Sequence, residues 1–142
     1  MFDWKEQLHV GSDGEALFLS LYPKLNKADG LIHDFELNGK TVELKTDSYS
    51  MEKTPNFFME KIGNIDNGKI GGPWRAKQDK IDFFVYMFLP QRKCFWFRTK
   101  QLVEFLDVYC ENLYQVKIPN KGWTTAGYKV PRHAVEHLFL KL

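Results

Sequence analysis

Residues 32–47 read IHDFELNGKTVELKTD, and their pattern decides how the rest of the chain is arranged. Asn38-Gly39 is the dipeptide of a two-residue type I′ turn, because both central residues of that turn need positive φ. With the turn there, Leu37 faces Lys40, Glu36 faces Thr41, Phe35 faces Val42 and Asp34 faces Glu43. Side chains alternate between the faces of a strand with period 2. One face of the hairpin carries Phe35, Leu37, Val42 and Leu44 and is the buried one. The other carries Asp34, Glu36, Thr41, Glu43, Lys45 and Asp47.

The polar face has an electrostatic problem. Asp34 and Glu43 stand opposite each other with Cβ atoms roughly 5 Å apart, and facing like charges destabilise a sheet. A divalent cation between them removes the penalty, and Mg²⁺ is commonly held by one or two carboxylates plus water and phosphate oxygens. Lys45 lies two residues along the same face, within reach of a phosphate or of a metal-bound water. Two acids and a lysine on one strand face suit metal-assisted phosphodiester hydrolysis. A solvated hairpin with mixed charges is the plain alternative, and E-x-K alone is common; the facing acid is what adds weight.

Ahead of the hairpin, residues 2–10 are amphipathic enough for a short helix using Phe2, Trp4, Leu8 and Val10, interrupted at Gly11 and Gly14. Ser12-x-x-Glu15 has the spacing of a capping box for a second helix from about Glu15 to Leu25. Leu17, Phe18, Leu21, Tyr22 and Leu25 stripe that helix, and Pro23 strains or ends its last turn. Residues 26–30 form a loop.

After the hairpin, residues 48–55 are a polar loop, and residues 56–62, NFFMEKI, read as a third strand beside the Glu43 strand. Residues 63–73 are a Gly- and Asn-rich loop leading into a short helix over residues 74–80, with Pro73 near its start. Lys69, Arg75, Lys77 and Lys80 are the densest basic cluster in the chain. Gly71-Gly72 would offer backbone N–H groups to a phosphate, and Trp74 would stack on a base or sugar or else be a partly buried side chain. Residues 81–89, IDFFVYMFL, read as a central strand buried on both faces, with Asp82 making a structural hydrogen bond at its start. Residues 94–98 return antiparallel to it, and Thr99 caps a helix from about Lys100 to Leu106. The tail reads as strands near residues 114–118 and 123–130 and a helix from Pro131 to Leu140. His133 and His137 have i, i+4 spacing for zinc but lack a third ligand nearby.

Asp34 followed by Glu43-Leu44-Lys45 resembles the D…E-x-K signature of the PD-(D/E)XK nuclease superfamily, which includes restriction enzymes, Holliday-junction resolvases and phage exonucleases. The Gly11-Ser12-Asp13-Gly14-Glu15 entry resembles the resolvase branch. His33 stands where the family often has Pro. The resemblance covers roughly residues 11–100. It implies an α/β fold with a restriction-endonuclease-like αβββαβ core, a mixed central sheet flanked by helices. It implies a DNA endonuclease using Mg²⁺ or Mn²⁺, held by Asp34, Glu43, the Leu44 carbonyl and Glu15. Lys45 would act on the attacking water. For Glu15 the capping role stays open beside the metal role. Arg75, Lys77, Lys69 and Trp74 would contact DNA. The implied partner is DNA, branched or four-way, and two nicks imply a homodimer. An exonuclease or a nickase on the same core, and a non-catalytic DNA-binding accessory protein, are the alternatives.

Bulk composition is compatible with these expectations. The 142 residues, 44% hydrophobic and 15% aromatic, suit one domain over residues 1–142 with a real core. Net charge is +2, from 20 Lys and Arg against 18 Asp and Glu, so a nucleic-acid enzyme would have to gather its cations on one face. No apolar run is long enough for a membrane span, and the first ten residues lack the pattern of a signal peptide. Cys94 and Cys110 offer no C-x-x-C pair for zinc. A cytoplasmic protein is expected, in a bacterial or phage-infected cell by the resemblance.

Overall fold

Asn38 and Gly39 have φ of 50° and 81°, the left-handed pair that a type I′ turn requires. The computed structural model describes residues 4–28 and 33–142, with side chains from residue 10 onward. Around the turn, β2 (Phe35–Leu37) and β3 (Lys40–Asp47) pair antiparallel as Phe35↔Val42, Glu36↔Thr41 and Leu37↔Lys40, the register expected from sequence. A two-residue strand, β1 (Asn26–Lys27), lies on the outer edge of β2, where the sequence predicts a loop; residues 29 and 30 of that loop lie outside the described residues.

The other edge of β3 is taken by β6 (Phe83–Phe88), which runs parallel to it with Glu43 opposite Phe84 and Lys45 opposite Tyr86. β7 (Lys93–Arg98) closes the sheet antiparallel, giving the mixed order β1-β2-β3-β6-β7. From sequence, residues 56–62 are expected beside β3. They belong instead to β4 (Asn56–Asn64), in a second, antiparallel sheet of order β5-β4-β9-β8, with β5 at Lys69–Ile70, β8 at Val116–Pro119 and β9 at Thr124–Pro131. The physical reason is face count. β6 buries Phe84, Tyr86 and Phe88 on one face and Val85 and Met87 on the other, so it needs cover on both sides and takes the centre. β4 buries only Phe57 and Met59 and leaves Phe58 and Glu60 half-exposed, so it serves as a covering layer.

The layers follow from this. Helix α1 (Trp4–Leu21) covers one face of the mixed sheet, where Phe18 meets Phe35 edge-on at 5.1 Å and Trp96 at 5.5 Å. The other face receives the second sheet together with α2 (Gly72–Gln78) and α3 (Thr99–Tyr109), around Phe57, Tyr86, Phe97 and Leu106. Short α4 (Arg132–Val135) and a 3₁₀ turn (Glu136–Leu138) end the chain, so the last helix stops short of Leu140, which pairs with Trp96 as an isolated bridge.

Two expectations about α1 are corrected. It is one helix running through Gly11 and Gly14, so Ser12 and Glu15 sit in its interior and form no capping box. Gly14 is buried where α1 crosses β3, and a Cβ there would strike the Thr46 side chain. Close packing outweighs the helix penalty of glycine, about 1 kcal/mol. Pro23 does follow the helix end. Residues 2 and 3 of the expected first helix, and the side chains of Trp4 and Leu8, lie outside what is described. No helix among the described residues is long and apolar enough to cross a membrane.

Candidate active site

Because Val42 and Leu44 point toward α1, Glu43, Lys45 and Asp47 point into the space between the two sheets. Two adjoining clefts of about 550 and 530 Å³ open there, and Glu43, Leu44, Lys45, Glu60 and Trp123 line both.

Asp34 reaches Glu43 by a slightly different route from a flush cross-strand pair. Ladder pairing ends at Phe35↔Val42; the Asp34 N–H turns to the Val42 carbonyl at 3.1 Å. Its carboxylate oxygen Oδ2 then accepts the Leu44 N–H at 2.9 Å. In a strand the N–H and C=O of one residue point to the same edge. The Leu44 carbonyl therefore lies on the Asp34 side of β3, away from β6.

The electrostatics are unfavourable for bare carboxylates. Burial, then the charge of Asp34, pushes the Glu43 carboxyl up to about 8, opposed by the Arg75 guanidinium. Burial also raises Asp34, against the Leu44 hydrogen bond, with the Glu15 charge adding to the rise. Glu43 Oε2 is buried and has no hydrogen-bond partner. Glu15 lines the same cleft as Asp34 and Glu43, but its Oε2 pairs with Lys27 Nζ at 3.3 Å. Among the described residues, no group of three or more His, Cys, Asp or Glu is gathered at metal-binding spacing.

From sequence, Glu60 ends the third strand, more readily as an ordinary strand-end charge than as an acid that approaches the metal site. β4 carries it across the cleft from β3, where Lys45 lowers and burial raises its carboxyl pKa, burial dominating. The backbone of Gly72 donates a hydrogen bond to it. The Gly71-Gly72 cradle expected to take a phosphate is thus filled by a side chain of the protein itself. A Cβ at Gly71 would strike the Glu60 carboxylate, and one at Gly72, with φ of 51°, the Glu60 carbonyl. The paired glycines are the available signal, and from sequence they point to the wrong anion.

The four expected DNA contacts separate. Arg75 and Lys69 line the cleft with Glu43 and Lys45, Arg75 also pairing with Asp79 at 3.5 Å. Lys77 lies on the far side of α2, in a third cleft. Trp74 is a core residue: 9% exposed, with its indole N–H donated to Asp107 Oδ1 at 2.8 Å and Lys61 Nζ 4.8 Å above its ring. Its π-face is not free for a base, and this corrects the stacking role. Trp123, half-buried on the turn between β8 and β9, is the indole that borders the acids. Nothing in the local sequence around Trp123 marks it.

Asp82 accepts from the Thr41 N–H at 2.9 Å and binds the Thr41 hydroxyl, pinning the start of β6 to β3 as expected of a structural acid. Asp47 accepts from the buried Tyr86 hydroxyl, which in turn accepts the Phe58 N–H at 3.1 Å. That chain of bonds ties the two walls of the cleft together.

No family model matches the chain, and no curated protein matches it.

Proposed function

We propose that the protein is a metal-dependent DNA endonuclease, with Asp34, Glu43 and Lys45 as the working set. The observation that carries the reading is the Glu43 carboxylate: buried against Asp34, with one oxygen lacking any hydrogen-bond donor. Carboxylates are not usually left so unless something positive is meant to join them. Two carboxylates and the Leu44 carbonyl edge are hard oxygen donors, which suits Mg²⁺ or Mn²⁺ with water and phosphate oxygens completing the shell. Glu15 is the further carboxylate, able to orient water once released from Lys27.

The order of elements supports a PD-(D/E)XK-type αβββαβ core: α1, the meander β1-β2-β3, then α2 and a parallel β6, with β4 and β5 inserted before α2. The D…E-x-K motif is local and the parallel pairing of β6 with β3 is long-range, so each supports the reading separately.

A bound divalent cation would supply Lewis-acid stabilisation of charge on the phosphate. The protein does the rest. Asp34 is held in place by the Leu44 N–H. Lys45, on the same face, positions or deprotonates the attacking water and offsets negative charge on the phosphate in flight. Arg75 and Lys69, on the cleft wall, hold backbone phosphates. A four-way junction is the proposed substrate, and a homodimer the proposed assembly, since resolving a junction takes two nicks.

The test is cleavage of a labelled four-way junction and a matched linear duplex with Mg²⁺, Mn²⁺ or EDTA. Symmetric nicks in the junction alone, absent with EDTA and with Lys45→Ala, are expected. Cutting of both substrates would remove junction specificity. Metal-independent binding with no cutting would replace the enzyme with a DNA-binding accessory protein.

A further inference from the structure

We propose that the third cleft, across α2 from the carboxylates, is a built site for a backbone phosphate of DNA. It measures about 430 Å³ and is walled by Lys40, Lys77, Lys80, Arg98, Thr99 and Lys100. The five cations come from three separate parts of the chain, so sequence proximity does not explain their gathering. None of the five has an ion-pair partner among the described residues. The acid on this wall, Asp82, is committed to Thr41.

The floor of the cleft is the N-terminus of α3, an eleven-residue helix. Its N-cap is Arg98, with no side-chain cap, and its first turn holds no acid. The Thr99 N–H is taken by the Asp82 carbonyl at 3.0 Å, leaving the N–H groups of Lys100 and Gln101 as the orphans that every helix start presents. The positive end of the helix dipole is therefore unneutralised and ringed by cations.

Thr99 supplies the independent observation. From sequence it is the expected helix cap, yet its hydroxyl caps nothing. The residue is 1% exposed, lines the cleft, and its Oγ1 has no hydrogen-bond partner. A phosphate oxygen at this point would accept from the Thr99 hydroxyl and the first-turn N–H groups while the lysines and Arg98 neutralise it. Naming DNA as the source of the phosphate rests on the nuclease reading; the phosphate chemistry does not. Ile81 lines both this cleft and the acidic one, so a strand cut on one side of α2 can be gripped on the other.

The experiment measures duplex binding by fluorescence anisotropy in EDTA across a salt series. It compares the parent with Thr99→Val and with a Lys80→Ala, Arg98→Ala, Lys100→Ala triple variant. The triple variant should lower the slope of log affinity against log salt by about 0.9 for each phosphate it no longer neutralises. Thr99→Val changes no charge and removes an unpartnered hydroxyl, so its melting temperature should not fall, yet DNA should bind roughly ten-fold more weakly. Parent-like binding by Thr99→Val would overturn the site and leave only solvated lysines. In parallel, amide shifts of Lys100 and Gln101 are followed with duplex and with inorganic phosphate. Response to phosphate at sub-millimolar levels, with both variants binding DNA normally, would overturn DNA as the occupant in favour of a free phosphate. DNA that binds through this cleft but is never cut would sink the nuclease reading alone; DNA that is cut, with both variants binding like the parent, would sink this proposal alone.

Discussion

The clefts on the two sides of α2 solve opposite problems. On one side Asp34, Glu43 and Glu60 are half-buried, and burial raises the pKa of each. On the other, Lys40, Lys77, Lys80, Arg98 and Lys100 stay exposed to water, where their charge is cheap to keep. Burying charge is expensive and exposing it is not. The acidic side therefore suits chemistry, and the basic side suits holding a polyanion. If that division is right, damage to the carboxylates and Lys45 should destroy turnover and spare binding, and damage to the basic cleft should do the reverse.

The largest effect expected is on the acidic side. Lys45→Ala should lower the cleavage rate by roughly 10²- to 10⁴-fold, the usual weight of a group that handles a proton in the transition state. The salt slope of DNA binding in EDTA should change by no more than the equivalent of about one phosphate. Single-turnover cleavage and anisotropy together measure both. Loss of binding in proportion to loss of cleavage would erase the division between the clefts.

Next comes stability of the metal-free protein. The Glu43 carboxyl is raised from 4.5 to about 8, so the folded state keeps a proton that the unfolded chain gives up. Stability from this group is complete below the unfolded value and is lost as pH rises through about 8. Asp34 and Glu60 are raised too and add in the same direction. In EDTA the melting temperature should drop between pH 5 and pH 9, and Glu43→Gln should flatten that drop. Mg²⁺ should restore several degrees to the parent at the alkaline end and little to Glu43→Gln. A parent whose melting curve ignores both pH and Mg²⁺ would remove the case for a cation at this site.

A smaller effect separates two glycines of α1. Gly14 touches Thr46, so Gly14→Ala should destabilise by about 1–3 kcal/mol, the usual range for overpacking. A Cβ at Gly11 meets nothing within 4 Å, so Gly11→Ala should gain up to about 1 kcal/mol from helix propensity. Denaturant melts of both variants would show opposite signs. Equal signs would mean that α1 does not sit against β3 as described, and that the back wall of the acidic cleft is misplaced.

What can be read from the sequence is local. The Asn38-Gly39 turn sets its own register, so the facing of Phe35 with Val42 and the shared face of Glu43 and Lys45, opposite the apolar one, follow from the hairpin alone. The double burial of β6 is legible for a similar reason, because its composition is apolar throughout. What escapes is long-range. Nothing near Asn56 tells that β4 pairs with β9 rather than β3, and so Glu60 could not be aimed at Lys45. The capping box at Ser12 is a true local preference overruled by a tertiary contact at Gly14. The basic cleft is only half visible: Lys77 and Lys80 are neighbours in sequence, whereas Lys40 joins them through the parallel pairing of β3 with β6, and Arg98 and Lys100 through the antiparallel pairing of β6 with β7.

Trp74 gives the finest test of the division, because its sequence neighbours point one way and its packing the other. It sits between Pro73 and Arg75 in the densest basic stretch, where an indole suggests base stacking. The fold turns it inward, 6.0 Å from the Tyr128 ring, and engages its N–H with Asp107. Trp74→Phe keeps an aromatic ring in the core and deletes one hydrogen bond, whose acceptor, the exposed Asp107, can turn to water instead, so stability should fall by about 1 kcal/mol. DNA affinity should stay within about two-fold of the parent, since no base reaches the ring. Trp123→Ala, at the mouth of the acidic cleft, should weaken binding to substrates with unpaired bases more than Trp74→Phe does, because a stacked base loses about 1–3 kcal/mol with its platform. Stronger loss at Trp74 than at Trp123 would place the nucleic acid on the α2 side alone, and the carboxylates would then face no substrate.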